Sequence, residues 1–274
     1  MSNITEQEMA NNVNSILQKS PPVPAFGASR LTRMRQMNAK DERDSGEVVP
    51  SWLRPVPYTR QKVTRGRALY QLGDASNNLY VVRYGMFKTV AVLIQTHPCI
   101  TGFRLCGDVM GLESVGDGNC VSSAVALEDS EVNVVSYREL LPAIARNPPI
   151  GTQLQIHMSR EMASAQNINT LLRELNAERR LAFFFLDLTA RLSIHGYSPT
   201  RLTLRMTRMD IASYLSLSNE TVSRAMSRLI GANLIDMRSL REVSINDLEA
   251  LRDFVWGRGF PVSLLPANMR TMHC

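Results

Sequence analysis

The chain has 274 residues, enough for two domains, and a hydrophobic content of 44%, which is typical of a globular protein. Its net charge is +6, and no apolar run approaches the roughly 18–20 residues that a membrane span needs. The four cysteines, Cys99, Cys106, Cys120 and Cys274, form no C-x-x-C pair, so neither a zinc site nor a disulfide framework is indicated. We therefore expect a cytoplasmic protein that does not contact a membrane.

Residues 1–49 have the composition of a flexible N-terminal tail. The stretch KSPPVPAFGAS (19–29) is rich in proline, and residues 30–47 are dense in charge. The first residues include Glu6 and Glu8 and lack an apolar core, so we do not expect a signal peptide.

Residues 50–148 show the pattern of a β-barrel domain. Short β-rich runs are separated by glycines and polar turns, such as Gly73–Asp74 and Gly107–Asp108. Many short strands at close, even spacing are typical of a sandwich or a barrel. The runs are ALYQLG, NLYVVRYG, MFKTVAVLI, CITGFRL, NCVSSAVAL and VNVVSY.

Residues 149–175 are predicted to form one long helix after a pair of prolines. Five side chains on it are spaced alternately by four and three residues, which is the period of a coiled-coil seam. We predict that this seam joins two copies of the chain, and a helix packed only on its own domain is the alternative. No seam residue is ionisable, so dimerisation would not bury a charge. The seam residues are Met158, Met162, Ala165, Asn169 and Leu172.

A helix-turn-helix pattern follows further along the chain. Thr207 and Asp210 have the spacing of a capping box, so a short helix is predicted to start there. The stretch SLS (216–218) predicts a tight turn, and Ser218 is a good N-cap for a second helix that ends before Gly231. In a helix-turn-helix, the second helix lies in the major groove of DNA.

This second helix, LSNETVSRAMSRL (217–229), has an apolar and a polar face when wound at about 3.6 residues per turn. A glutamate can accept from cytosine N4, and an arginine can donate to guanine O6 and N7. Considered alone, the stretch also fits an ordinary amphipathic helix with a solvated polar face. The candidate DNA contacts are Asn219, Glu220, Ser223, Arg224 and Ser227 here, together with Thr207, Arg208 and Arg241.

The residues around this pattern predict a winged helix-turn-helix domain over 176–254. NLIDM (233–237) and REVSI (241–245) are predicted to be the two strands of a wing, and NDLEALRDF (246–254) a closing helix. LAFFFLDLTARL (181–192) is predicted to be a core helix. Residues 255–274 are predicted to be a C-terminal tail.

The charge of this domain agrees with DNA binding. Residues 176–245 contain ten arginines and six acidic residues (10 − 6 = +4), so most of the chain's charge of +6 lies here. Arginine in excess near a helix-turn-helix is what phosphate contact requires. A barrel that precedes such a domain is interpreted as a sensor linked to a DNA-binding domain.

Four stretches of the sequence and the predicted wing resemble the CRP/FNR superfamily, and the likeness is greatest to its fumarate–nitrate regulator branch. The resemblance runs from about Tyr58 to Leu251. The stretches are LYQLGDASNNLYVVRYGMFKT (69–89), ITGFRLCGDVMGL (100–112), NAERRLAFFFLDLTAR (176–191) and GYSPTRLTLRMTRMDIASYLSLSNETVSRAMSRL (196–229).

The resemblance implies an α+β fold with a cupin-like sensory barrel similar to cyclic-nucleotide-binding domains, a long dimerisation helix and a C-terminal winged helix-turn-helix. It also implies a bacterial cytoplasmic transcription regulator that binds double-stranded DNA as a homodimer and contacts RNA polymerase through surface loops of the barrel. The E-x-x-S-R spacing of Glu220, Ser223 and Arg224 resembles the branch's recognition triplet for palindromes of TTGAT-like half-sites.

Two departures from the family concern the signal. Oxygen-sensing members hold an iron–sulfur cluster on several cysteines ahead of the barrel and one within it, whereas residues 1–98 contain no cysteine and Asn133 stands at the matching barrel position. Cyclic-nucleotide members clamp the phosphate with an arginine, whereas CVSSAVAL (120–127) contains none. We therefore expect neither an iron–sulfur cluster nor cyclic AMP, and no other cofactor or metal site is predicted.

Two other classes of function compete with a DNA-binding regulator. A ligand-binding signalling module could use the helix-turn-helix as a protein interface, but such a helix would present aromatic or aliphatic anchors on its outer face, and residues 219–227 present none there. An enzyme would need clustered catalytic residues, and none of the patterns indicates such a cluster. The sequence leaves open whether the regulator activates or represses transcription.

Overall fold

The structure is a computed structural model that describes residues 51–92, 98–116 and 118–258. The predicted order of a β-barrel, a long helix and a winged helix-turn-helix is confirmed, and the fold is α+β. The predicted N-terminal tail and most of the predicted C-terminal tail lie outside the described residues. The long helix Pro148–Glu174 and the core helix Ala177–Ser193 connect the barrel to the helix-turn-helix.

The barrel consists of two antiparallel sheets of four strands each. Their orders are β1-β8-β3-β6 and β2-β7-β4-β5. Two of these strands were not among the predicted runs: β1 buries only its last residue, and β6 has only two residues. The strands are β1 Thr59–Val63, β2 Ala68–Tyr70, β3 Asn78–Tyr84, β4 Phe87–Val92, β5 Pro98–Arg104, β6 Val109–Met110, β7 Ser123–Ala126 and β8 Ser130–Ser136.

Strand β3 shows how the sequence builds the barrel core. Successive side chains of a strand point to opposite faces, and β3 is apolar on both. Val82 packs with Phe87 between the two sheets, whereas Leu79 and Val81 pack outward against Leu53 and the following helices. A strand buried on both faces lacks alternation of polar and apolar residues, which is why LYVV (79–82) is a continuous apolar run.

Six helices are described, and one of them is unpredicted. The helix α1 lies within the segment that was assigned to the barrel, and it begins where the hydroxyl of Ser136 accepts from the backbone N–H of Arg138. The predicted strand run VNVVSY continues directly into it, so no turn signal separates the two. The helices are α1 Tyr137–Arg146, α2 Pro148–Glu174, α3 Ala177–Ser193, α4 Arg208–Tyr214, α5 Asn219–Gly231 and α6 Leu248–Trp256.

Both predicted strands of the wing are present and pair with each other, and a third strand that was not predicted joins them. Its strands are β9 Arg201–Thr203, β10 Ile235–Met237 and β11 Glu242–Ile245, in the order β10-β11-β9. The additional strand β9 has three residues and buries only Leu202, which is too short a segment for alternation to be recognised. It pairs antiparallel with β11 and ties the wing to the chain that leads into α4.

The barrel and the DNA-binding domain are in direct contact. Strand β5 is an edge strand, and its Ile100 N–H donates to Ser213 Oγ of α4 at 3.0 Å. The ring of Phe103 lies edge-on to that of Tyr214, with 5.2 Å between centroids. One apolar cluster therefore runs from the barrel through α3 into the helix-turn-helix.

Candidate nucleic-acid interface

The first helix of the helix-turn-helix, α4, starts at the predicted capping box. Thr207 Oγ1 accepts from the Asp210 backbone N–H at 3.1 Å, and Asp210 Oδ2 accepts from the Thr207 backbone N–H at 2.8 Å. Two backbone donors at the start of the helix are thereby satisfied. Asp210 is buried, so this box is part of the core that positions the recognition helix.

The turn between α4 and α5 needs an unusual backbone conformation. Ser216 has a φ of 53°, in the left-handed region that non-glycine residues rarely adopt. The Leu217 N–H donates back to Ala212 O at 2.9 Å, which closes the turn. Ser218 then caps α5 by accepting from the Thr221 N–H at 3.0 Å, as predicted. The helix includes Gly231, one residue beyond the predicted end.

The apolar face of α5 anchors the helix in the domain core. Val222, Ala225, Met226 and Leu229 are buried, with at most 2% of each exposed. They recur at helical spacing and pack into the same cluster as α3 and α4. The opposite face of α5 is consequently turned to solvent.

The predicted reading residues occupy this outer face. Asn219, Glu220, Arg224 and Ser227 are exposed, and Ser223 is half-buried. Arg224 Nη2 and Glu220 Oε1 are 3.7 Å apart, and 64% and 77% of the two side chains are exposed. The two groups are thus held side by side over the first two turns, where a recognition helix contacts base edges. The Ser223 hydroxyl donates to the Asn219 carbonyl at 3.0 Å.

The C-terminal half of α5 is bound to its own domain. Arg228 Nη1 contacts Glu178 Oε1 at the start of α3. The backbone N–H and the contact with Arg228 lower the pKa of the Glu178 carboxyl, with the backbone hydrogen bond having the larger effect. Arg228 therefore has an intramolecular partner, which distinguishes it from Arg224.

Thr207, Arg208 and Arg241 lie together beside the recognition helix, whose Met226 lines the same cleft. They line a cleft of about 250 Å³ between α4 and the wing, together with the exposed Leu240 and four other apolar side chains. Burial lowers the pKa of the Arg241 guanidinium, and the charges of Arg65 and Arg205 lower it further. The two guanidinium groups of Arg208 and Arg241, which flank the recognition helix, suit a phosphate of the DNA backbone.

The predicted dimer seam is on the outer surface of the single chain. Met158, Met162, Ala165 and Asn169 are exposed, and Leu172 is half-buried. Met158 and Met162 line an open groove of about 380 Å³ along α2. The neighbouring face of α2 packs on its own chain through partly buried Ile168 and Leu171. If α2 packed only on its own domain, as the alternative prediction holds, Met158 and Met162 would therefore remain exposed to water.

The barrel region where cyclic-nucleotide domains bind phosphate is occupied by internal hydrogen bonds. Glu113 Oε1 accepts from Ser122 Oγ at 2.9 Å and from the Tyr70 hydroxyl at 3.3 Å. The Tyr70 ring stacks on that of Tyr80, with 5.2 Å between centroids. Burial and the Glu113 charge hold the pKa of the Tyr70 hydroxyl far above its ordinary value, so it remains a neutral donor.

The three described cysteines lie in separate surroundings. Cys99 is at the contact with α4, with its Sγ 3.9 Å from the Ser213 carbonyl oxygen, and Cys106 donates to the Arg83 carbonyl at 3.1 Å. Cys120 is buried in the barrel, and burial raises the pKa of its thiol. Across the part of the chain that the structure describes, no group of three or more His, Cys, Asp and Glu side chains could hold a metal ion. Cys274 lies outside that part.

Comparison with known proteins places both domains in one family. Residues 179–254 match the model of the Crp-like helix-turn-helix domain, and residues 60–147 match that of the cyclic nucleotide-binding domain. Over 196 residues the chain is 39% identical to the transcriptional regulatory protein btr of Bordetella pertussis, covering 72% of this chain and 81% of that protein. The chain belongs to the CRP/FNR superfamily of transcription regulators.

Two further matches agree with this assignment to the CRP/FNR superfamily. The fumarate and nitrate reduction regulatory protein of Escherichia coli K12 is 34% identical over 192 residues, which is 70% of this chain and 76% of that protein. The structure of FixK2 from Bradyrhizobium japonicum matches with a TM-score of 0.67 at 27% identity, covering 72% of this chain and 97% of that one. The proteins from Bordetella pertussis and Escherichia coli are both regulatory proteins.

The CRP/FNR assignment confirms the predicted fold class and the general function. The protein is a transcription regulator with a sensory domain of the cyclic-nucleotide-binding type and a helix-turn-helix DNA-binding domain. None of the helices in 51–92, 98–116 or 118–258 is both long enough and apolar enough to cross a bilayer.

Proposed function

We propose that this regulator binds palindromes of TTGAT-like half-sites as a homodimer, with Arg224 on the guanine and Glu220 accepting from an exocyclic base amine. The observation that carries the proposal is the placement of these two side chains. They lie side by side on the solvent face of α5, in its first two turns, and neither is bound to another part of the domain in the described residues.

The homodimer is proposed to form through the seam on α2. One winged helix contacts one half-site, and two copies related by a twofold axis contact a palindrome. The exposed methionines of the seam would be buried by the same helix of a second copy, and the seam adds no charge to the interface. The half-site centres are then about one helical turn, roughly 10 base pairs, apart.

The regulator is proposed to act in the cytoplasm and to contact RNA polymerase through surface loops of the barrel. Membership of the CRP/FNR superfamily supports both statements. If the outer face of α5 instead bound a protein, as the alternative hypothesis holds, it would need apolar anchors. Over residues 219–227 its exposed groups are an amide, a carboxylate, a guanidinium and one hydroxyl.

Neither a regulator-type [4Fe–4S] cluster nor cyclic AMP is proposed as the signal. The described cysteines lie apart, and residues 1–98 contain none. In the barrel, Ser122 and Tyr70 donate to Glu113, and the segment around them supplies no guanidinium for a cyclic phosphate. Anaerobic reconstitution with iron and sulfide analysis, and titration calorimetry with cyclic nucleotides, test this part of the proposal. A stoichiometric cluster or saturable nucleotide binding would contradict it.

The DNA proposal is tested by selection from a random pool of duplexes with the full-length protein. We expect enrichment of a twofold palindrome whose half-sites contain a guanine, with centres about 10 base pairs apart. Enrichment of a single half-site would contradict the dimer, and enrichment of an unrelated sequence would contradict the assignment of Glu220 and Arg224. A pool that stays random would contradict sequence-specific binding altogether.

A further inference from the structure

The cleft between α4 and the wing has an apolar lining that a DNA phosphate does not account for. It forms where the segment leading into α4, the helix α5 and the turn between β10 and β11 meet. Phosphate contact uses guanidinium and hydroxyl groups and leaves apolar side chains without a role. Besides Thr207 and the two arginines, the lining consists of Leu204, Met206, Ile211, Met226 and Leu240.

Leu240 is the exposed part of that lining. It lies in the turn of the wing between β10 and β11, and 76% of it is exposed, whereas the other four apolar side chains are at most 2% exposed. The four buried side chains therefore form the floor of the cleft, and Leu240 forms an apolar wall in contact with water. Burial of apolar surface is favourable in water, so a ligand with an apolar body would be held against this wall.

Two guanidinium groups stand beside the apolar wall. Arg208 and Arg241 line the same cleft, and neither guanidinium forms an ion pair with any residue of 51–92, 98–116 or 118–258. The carboxylate of Asp210, two residues after Arg208, is engaged in the capping box and in the ion pair with β4. Burial lowers the pKa of the Arg241 guanidinium, and the charges of Arg65 and Arg205 lower it further. A negative charge in the cleft would therefore be stabilised.

The size of the cleft limits the ligand that it can hold. Its volume is about 250 Å³, which is below the roughly 300–1,000 Å³ of pockets for drug-sized molecules. A water molecule takes up about 30 Å³ of the liquid, and a methylene group is of similar size. An apolar body of about six to eight carbon atoms therefore suits the cleft.

We propose that the cleft between α4 and the wing binds a small amphipathic acid, whose carboxylate is held by Arg208 and Arg241 and whose apolar body packs against Leu240. A guanidinium fork binds carboxylate and phosphate alike, because both anions accept two parallel N–H donors. The acid and the DNA backbone therefore compete for the same two arginines, and the bound acid releases the regulator from DNA. The competition rests on the proposed function, whereas the binding site itself does not.

Two other occupants of the cleft are outcomes of the test that overturn the proposal. If Leu240 packed on a deoxyribose of bound DNA, its replacement would weaken DNA binding. If it packed on RNA polymerase, its replacement would lower transcription at unchanged DNA affinity. The guanidinium groups without an ion-pair partner in the described residues favour an anion, and the apolar lining favours one that carries an apolar body.

The first test is titration calorimetry of the full-length protein with octanoate, without DNA and at concentrations at which octanoate forms no micelles. Butyrate, which has the same head group on a shorter chain, and octanol, which has the chain without the charge, are the chemical controls. The variant is Leu240→Asn, which keeps both arginines. The matched control is Ile194→Asn, because Ile194 is 63% exposed and does not line the cleft.

We expect saturable binding of octanoate by the wild type and by Ile194→Asn. Butyrate should bind more weakly, by about fourfold for each buried methylene that it lacks. Octanol should also bind more weakly, because it leaves the guanidinium groups without an anion. Leu240→Asn should bind octanoate about tenfold more weakly. An absence of saturable binding to the wild type, or equal binding by Leu240→Asn, would overturn the proposal.

The second test measures affinity for the selected palindrome by fluorescence anisotropy, at fixed salt and increasing octanoate. Octanoate should weaken DNA binding by the wild type and by Ile194→Asn, and should have little effect on Leu240→Asn. Without octanoate, all three proteins should bind the palindrome equally. If octanoate binds in calorimetry and leaves DNA affinity unchanged, the competition is wrong.

The remaining results separate the other occupants from the proposed function. Weaker DNA binding by Leu240→Asn without octanoate would assign Leu240 to DNA and overturn the proposal. Lower transcription by this variant in a purified system, at unchanged affinity for DNA and for octanoate, would assign Leu240 to the polymerase and overturn it as well. If the wild type shows no preference for the palindrome over a scrambled duplex, the proposed function fails, and calorimetry still decides whether the site exists.

Discussion

Lys88 and Asp210 are 122 residues apart in the chain, and their side chains form a buried ion pair of 2.7 Å between the barrel and the helix-turn-helix. One oxygen of the Asp210 carboxylate accepts from Lys88, and the other closes the capping box with Thr207. A single carboxylate therefore both starts the first helix of the DNA-binding motif and fastens that helix to the sensory domain. A displacement of β4 would be passed to α4 through this contact.

We predict that Lys88→Met destabilises the protein by about 2–4 kcal/mol. The variant leaves a buried carboxylate without its cation, which is costly, although Thr207 still donates to it. The free energy of unfolding, measured in denaturant, checks the value. A change below about 0.5 kcal/mol would show that solvent replaces the lysine freely.

The matched control for that prediction is the double variant Lys88→Met with Asp210→Asn. The asparagine keeps an acceptor for Thr207 and removes the charge, so the double variant should be more stable than the sum of the two single effects indicates. Additive effects would contradict a direct interaction between the two side chains.

The dimer seam on α2 gives a second prediction. Ala165→Asp should weaken the dimer, because the carboxylate would be buried against the second copy. Asn167→Asp is the control: two residues further along the helix, it is exposed and points about 200° away. Sedimentation at micromolar concentration should show a dimer for the wild type and the control, and dissociation for Ala165→Asp. A monomeric wild type would exclude the seam.

The local sequence patterns of this chain predict the helix-turn-helix well. They do not predict the contacts between the two domains. The capping box at Thr207, the cap at Ser218 and the phase of α5 depend on residues within four positions of one another, so sequence spacing reports them. Strands β6 and β9 have two and three residues, which is too few for alternation to appear. The helix α1 was missed because no turn residue separates it from β8.

The exposed face of α5 could be predicted from the sequence, whereas the partners of its residues could not. The phase of α5 predicts that Glu220 and Arg224 are exposed on one face, and the structure places them there. Spacing cannot predict that Arg228, one turn later, binds Glu178, or that Arg65 lies near Arg241. Such partners are brought together by tertiary packing. A periodic pattern predicts which face of a helix is buried, but not which residues of other elements lie next to it.

A third prediction concerns stability and pH at the junction of Trp52 and α2. The Trp52 indole N–H donates to His157 Nε2 at 3.0 Å, which requires a neutral imidazole. Burial lowers the pKa of His157, and the Arg160 charge lowers it further, against smaller opposing effects of Glu161 and Asp108. The unfolded chain therefore takes up this proton more readily than the folded protein.

The stabilisation from the hydrogen bond between Trp52 and neutral His157 is complete above the pKa of the histidine in the unfolded chain, near pH 6.5. It is lost as the pH falls through that value towards the lower pKa of the folded protein. The free energy of unfolding is measured at pH 7.5 and 5.5, two values chosen to span roughly that range. It should decrease less between them in His157→Gln than in the wild type. The glutamine keeps an acceptor for Trp52 and does not titrate. His195→Gln, at an exposed histidine, should follow the wild type. If all three proteins lose stability in parallel, another group titrates.

The fourth prediction separates a base contact from a phosphate contact. Arg224→Ala should cost on the order of 1–3 kcal/mol per subunit on the selected palindrome and relax the preference at the guanine, because a bidentate donor pair is removed. Arg241→Ala should weaken binding to all sequences alike and flatten the salt dependence, because its guanidinium lines the cleft beside the wing. Both variants are measured against the palindrome and its single-base variants at fixed salt.

Arg228→Ala is the matched control for Arg224→Ala, since both residues lie on α5 and are largely exposed. Arg228 is already bound to Glu178, and it lies one turn further from the helix start where base edges are contacted. Its removal should lower stability slightly and leave base preference unchanged. If Arg224→Ala weakens binding to every single-base variant by the same factor, Arg224 contacts phosphate, and the assignment of α5 residues to bases is wrong. If Arg228→Ala alone relaxes the preference, the base-contacting groups lie one turn further along α5 than proposed.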